Sequence, residues 1–219
     1  MNRISPLAPV LMTIALASAC AAPPAAQEEP QAAFTPAPAP GEPTLDELRT
    51  LFERYRAVEV ALADGYIPDP SGMCVTAEME GRPAEEGAMG MHYVRMDLLG
   101  ITGPPNPRVN GTGTHTDFRR PAILLYEPQA DGSLELLGIE NLVFAAAWRE
   151  AGNTEPPTFH GLPWDYMEDD PATEVDEAHG FEAHYDRHIW LYRENPNGVF
   201  ATMNPSVTCE HHVAHAAHH

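Results

Sequence analysis

HYDRHIWLYRENPNGVFATMNPSVTC, residues 184–209, decides how the rest of the chain is read. In an extended chain Tyr185, Arg187, Ile189 and Leu191 fall on one face, and His184, Asp186, His188 and Trp190 on the other. Asn195-Pro196-Asn197-Gly198 has the composition of a turn, with proline where φ near −65° is wanted and glycine closing it. A second strand over 199–203 is expected to return alongside the first. The stretch thus reads as a hairpin with two histidines on one face and a cysteine at its end.

Upstream, the chain opens as an export signal. Arg3 provides a positive start, 7–16 an apolar run, and Leu16-Ala17-Ser18-Ala19 a small-residue cleavage site before Cys20. This resembles the lipobox of bacterial lipoproteins, which implies cleavage after residue 19, lipid on Cys20 and, with Ala21 next, an outer-membrane destination facing the periplasm. An ordinary secreted protein cut elsewhere is the alternative. Residues 20–43 hold seven prolines and eight alanines in 24 positions, a composition that favours an extended tether over a helix. The folded domain is expected over 44–210, followed by a histidine-rich tail, 211–219.

With 32 Asp and Glu against 12 Lys and Arg, the chain carries a formal charge of −20. That excludes nucleic acid as a partner and unaided adhesion to anionic lipid. Membrane contact is expected through the N-terminal lipid alone, and nothing identifies a protein partner. If Cys20 is lipidated, Cys74 and Cys209 remain as a pair in an oxidising compartment, and a disulfide between them is expected. Thiolate metal ligation is the alternative, although no CxxC spacing favours it.

Thr44-Leu45-Asp46-Glu47 is a capping box, and Leu48, Leu51, Phe52, Tyr55, Val58 and Leu62 follow at helical spacing up to Gly65. One amphipathic helix over 45–64 is predicted. Residues 92–96 read as a short strand. Residues 122–126 and 134–143 read as strands joined across Asp131-Gly132, and 144–151 as either strand extension or a short helix. The loop 153–178 has seven acidic residues between Asp165 and Glu177, which raises calcium, but the spacing of a calcium loop is absent. The expected fold is α+β: a long N-terminal amphipathic helix on a curved antiparallel sheet of four to six strands, with one disulfide.

Histidine is the over-supplied functional side chain. Metal sites use neutral imidazole, which reaches zinc or copper at about 2.0–2.1 Å. His184 and His188, four apart, are the first candidates, and His92 is the best third ligand. Glu182, His179, Glu140 and Met91 follow as additional candidates, Met91 because thioether with imidazole suits Cu(I). The alternatives are histidines satisfied within the core and methionines that fill gaps. The tail residues His211, His212, His215, His218 and His219 bind metal in solution whatever their biological use. Neither HExxH nor G-x-S-x-G occurs, and Gly111-Thr112-Gly113-Thr114 lacks the lysine of a phosphate loop. The cofactor expectation is copper or zinc, with no nucleotide and no haem.

The pieces GMHY at 90–93, LLYEP at 124–128, LELLGIENL from 134 and the 184–209 stretch resemble a family of uncharacterised secreted bacterial proteins ending in HYxxHxW…NPxG…NPxVxC. The resemblance covers about 45–209 and implies a shared fold unit but no reaction. Met203 stands where that family commonly has tryptophan. Three functions stay open: a lipid-anchored envelope protein binding a transition metal, an envelope enzyme using the same histidines as acid/base groups or metal ligands, and a structural or partner-binding lipoprotein without metal.

Overall fold

The computed structural model describes residues 36–213. The signal segment, the Cys20 lipidation site, most of the tether and the tail residues His215, His218 and His219 lie outside them. Among the described residues no helix is long and apolar enough to cross a membrane.

Thr44 caps α1 (Leu45–Phe52) as its sequence requires: its hydroxyl accepts from the Glu47 N–H, and the Glu47 carboxylate accepts from the Thr44 N–H. The single long helix over 45–64 does not form. A 3-10 turn occupies Glu53–Arg56, Ala57 is extended, and α2 (Val58–Ala63) starts afresh. The cause lies in the sheet. The buried Tyr126 hydroxyl donates to the Tyr55 carbonyl at 2.6 Å, drawing that carbonyl out of the helical ladder. Leu48, Phe52 and Tyr55 are buried, whereas Leu51 in α1 and Leu62 in α2, past the register change, stay exposed.

The sheet has seven antiparallel strands rather than four to six. β1 (Ile67–Pro68) and β2 (Cys74–Thr76) share one edge of β3 (Ala88–Val94), which is longer than the strand expected from residue 92. After α3 (Met96–Leu99), β4 (Ile123–Pro128) pairs with β3 and then with β5 (Leu134–Phe144). The β4–β5 connection is the expected turn: the Gln129 N–H donates to the Ser133 carbonyl, and Gly132 takes φ +82°. Residues past Phe144 turn into α4 (Ala145–Glu150), the helical alternative. A small hairpin, β6 (Thr158–Phe159) with β7 (Leu162–Pro163), precedes β8 (Asp165–Met167). β9 (His184–Ile189) lies between β5 and β8.

The return strand over 199–203 does not form. After Ile189 the chain is instead held by side chains reaching its backbone: Trp190 Nε1 donates to the Ala201 carbonyl, Arg187 to that of Phe200 and Asn195 to that of Met203. A disulfide joins Cys74 to Cys209. Residues 36–43, expected as free tether, pack on the domain. His160 faces the Pro36 and Pro43 carbonyls, and Arg119 donates to the Gly41 carbonyl. In the acidic loop, Arg108 pairs with Asp169 and Asp176, and Thr173 donates to Glu177, so these carboxylates already have partners.

Because side chains alternate along a strand, the sheet has two differently furnished faces. One face carries Tyr93, Leu124, Tyr126, Ile139, Val143 and Ile189 and packs with Leu48, Phe52 and Tyr55. The other carries Val94, Ile123, Leu125, Leu142, Phe144 and Trp190 and packs with Leu99, Ile101, Val109 and Phe181. All of the polar chemistry described next lies within the second face.

Candidate metal centre

His92 follows Met91 and precedes Tyr93, both packed with the first face, so its ring enters the second. Glu140, between Ile139 and Asn141 in β5, enters the same face, and β9 places His188 directly opposite it. Directly opposed antiparallel residues bring their Cβ atoms within about 4.5–5.5 Å, close enough for two side chains to share an ion. Beside Glu140, Gly138 is a second strand position without a side chain. A Cβ there would collide with the Ile189 carbonyl, so the close β5–β9 approach demands glycine.

The result is a group that could hold a metal ion: His92, Glu140 and His188, with one donor atom from each within 4.8 Å of the others. His92 Nε2 is 3.2 Å and His188 Nε2 3.4 Å from Glu140 Oε2. Donors placed tetrahedrally at about 2.0–2.1 Å from one ion stand roughly 3.3–3.4 Å apart, close to the spacing between Glu140 and each histidine. The three residues are only 4%, 1% and 0% exposed, yet His92 Nε2, Glu140 Oε2 and both nitrogens of His188 have no hydrogen-bond partner. Leaving such groups unsatisfied costs about 1–3 kcal/mol each, so an occupant that satisfies them is strongly favoured. Burial disfavours a charged His92, but the Glu140 carboxylate beside it together with Asp69 and Asp186 outweighs that effect, and the His92 pKa ends raised.

Around this group lie the remaining buried polar residues. The His179 ring stacks on His92 with centroids 5.7 Å apart, and its Nδ1 is 3.0 Å from Glu80 Oε1. His179 has φ +39°, a left-handed backbone rare outside glycine. Although a carboxylate–imidazolium pair would fit that distance, both groups are pushed toward neutrality. Burial, aided by the Asp186 charge, raises the Glu80 pKa to about 8, while burial and the neighbouring histidines hold His179 well below the usual range. Both shifts favour a carboxylic acid donating to an imidazole over the ion pair. Glu80 also borders a surface cleft of about 380 Å³ with Arg82, Asp165, Glu168 and Glu177.

This protonation state has a measurable consequence. Glu80 has a folded-state pKa above its unfolded value near 4.5, so its contribution is present below about pH 4.5 and lost as pH rises toward 8. In metal-free protein, Glu80→Gln, which keeps the donor and cannot ionise, is expected to remove up to roughly 4 kcal/mol of that loss. Denaturant titrations should show variant and wild type similar at pH 4.5 and the variant more stable at pH 8. Parallel pH curves for the two proteins would show Glu80 to be an ordinary carboxylate.

Of the expected ligands, His92 and His188 come together with Glu140, but His184 does not join them. Four residues of strand span about 13 Å, so His184 and His188 share a face without being able to share one ion through adjacent positions. His184 instead lies opposite Phe144, with Nδ1 2.9 Å from the Glu182 carbonyl. Glu182 thus contributes its backbone. Met91 packs with the apolar first face, and Met89 fills a small cluster with Val75, Ala77 and Met203, so no thioether accompanies His92. His211 and His212 line a surface cavity with Met91 and Tyr93, on the face of β3 turned away from His92. Sequence reasoning missed Glu80 altogether; nothing in GlyPro-rich 67–90 sets it apart. No protein-family model matches this chain, and neither the curated proteins nor the solved structures compared with it show a match.

Proposed function

We propose that the chain is a lipid-anchored cell-envelope protein that binds a divalent transition-metal ion through His92, Glu140 and His188. The observation that carries the reading is the convergence of three buried, otherwise unpartnered donors at ligand–ligand spacing. Two imidazoles with one carboxylate suit zinc(II) or copper(II); without a thioether the case for Cu(I) falls away. The enclosure of the donors favours binding over catalysis, because a catalytic metal keeps a position open to water or substrate. The lipobox-like segment before Cys20 and a disulfide, which persists in oxidising compartments, support an envelope location.

The test uses the full chain with His211, His212, His215, His218 and His219 all changed to alanine, which removes adventitious binding by the tail. After exposure to zinc and removal of loose metal by gel filtration, at least one equivalent should remain. Affinity should fall as pH drops, because each imidazole must lose its proton to ligate. The raised His92 pKa means that proton competition begins above the usual histidine range near 6.5. Protein that stays metal-free at pH 7.5 would sink the reading.

A further inference from the structure

We infer a second cation position in the same buried face, between His184 Nε2 and Asp186. It rests on the reading above only in that both belong to one polar cluster; its donors are different atoms. The inference starts from a tautomer. A carbonyl oxygen only accepts, so the 2.9 Å contact from His184 Nδ1 to the Glu182 carbonyl places the N–H on Nδ1. In the neutral ring Nε2 then presents a bare lone pair. That lone pair faces Asp186 Oδ2, another acceptor, across 3.8 Å. Asp186 is fully buried, and its two oxygens and His184 Nε2 all lack a hydrogen-bond partner.

Two acceptors facing each other in a dry interior require a positive group between them. A proton on Nε2 would supply one, but an N–H···O bond draws its atoms to about 2.7–3.2 Å, well short of the observed gap. A metal ion contacting both donors at about 2.0–2.1 Å allows up to roughly 4.2 Å between them, which covers it. The residues directly opposite them in β5, and Asp165 in β8, offer no alternative donor. Across the β5–β9 pairing His184 faces Phe144 and Asp186 faces Leu142, and Asp165, which pairs with Asp186 from β8, is itself a carboxylate. His188 Nδ1, 3.9 Å from the same Asp186 oxygen, lies equally beyond hydrogen-bond reach. Coordination at this position takes the existing Nε2 lone pair and an existing carboxylate charge, so no proton need leave His184.

The test counts metal in the full chain carrying the five tail His→Ala changes, titrated with zinc alone and, separately, with copper(II) alone. Two equivalents per chain are expected after gel filtration. Asp186→Asn, which is isosteric, and His184→Gln, which keeps similar bulk, should each reduce the count to one while leaving the first equivalent's affinity within a few-fold. Should either variant fail to fold, the wild-type count decides by itself. Saturation at one equivalent that Asp186→Asn and His184→Gln leave in place overturns the second position and leaves the first standing. Two equivalents that persist in both folded variants overturn its placement here. Zero equivalents overturn both readings together.

Discussion

Protein carrying His188→Ala is expected to lose the zinc that wild type retains at the His92–Glu140–His188 group. The ring supplies one of three donors, and its nitrogen lies opposite Glu140 because β5 and β9 pair at those positions. Removing it leaves His92 and Glu140 one donor short of the three that converge at this position. The cleanest measure is the metal-induced change within each protein. A ligand that binds only the folded state at 100 times its Kd adds about 2.7 kcal/mol, or a rise of roughly 5–11 °C in Tm for a domain of this size. With all tail histidines changed to alanine, wild type should show that rise from the His92–Glu140–His188 group, and His188→Ala should lack this part of the response. The variant's own metal-free stability is a poor guide, since losing the ring also removes two unpartnered buried nitrogens and a stack on Trp190. His160→Ala is the control. That histidine is equally buried but faces the Pro36 and Pro43 carbonyls, and its loss should leave the zinc-induced rise intact. A full zinc response in His188→Ala would remove the proposed centre.

The parts of this arrangement that could be read in the sequence are those set by local rules. Alternation in 184–190 assigned His184, Asp186 and His188 to one face, and that face is where they lie. The capping box at Thr44 and the β4–β5 turn obey short-range chemistry and are formed as expected. The long helix was misread because its break is imposed from a distance, by a tyrosine 71 residues further on that claims the Tyr55 carbonyl. The grouping of the candidate ligands departs from the expected one for a related reason. A four-residue histidine spacing brings two rings together on a helix but spreads them along a strand, and the partner that replaces His184 comes from strand register. Glu140 did leave a signal. It is a carboxylate inside LELLGIENLVF, a run whose residues from Leu136 to Phe144 are all buried, and such a charge persists only with a partner. His179 and Glu80 come from loop and 3-10 segments, where no periodicity announces which side chain turns inward.

Removal of the Cys74–Cys209 bond, by reductant or by Cys74→Ser with Cys209→Ser, is expected to cost about 5 kcal/mol in the chain-entropy account. The bond closes a loop with a sequence separation of 135, nearly the whole domain, so it restrains the unfolded chain far more than a local clasp would. Domains of this kind are stable by only about 5–15 kcal/mol in total, so the denaturant midpoint should fall by a third or more. Native contacts soften the effect on the folded state without replacing the constraint on the unfolded one. The C-terminal segment is also held by Asn204, whose backbone pairs with Ala88, by Thr208 donating to Glu127, and by Arg193 bridging Glu127 and Glu135. These contacts lie beside the end of β3 and the β4–β5 turn, whereas the three metal donors sit on β3, β5 and β9. Reduced protein that remains folded should therefore still take up zinc. A midpoint shift worth less than 1 kcal/mol would show that the unfolded chain is already compact enough for the bond to add little. Loss of zinc binding in folded, reduced protein would instead show that the disulfide holds β3 in register against β4, and with it His92 against Glu140.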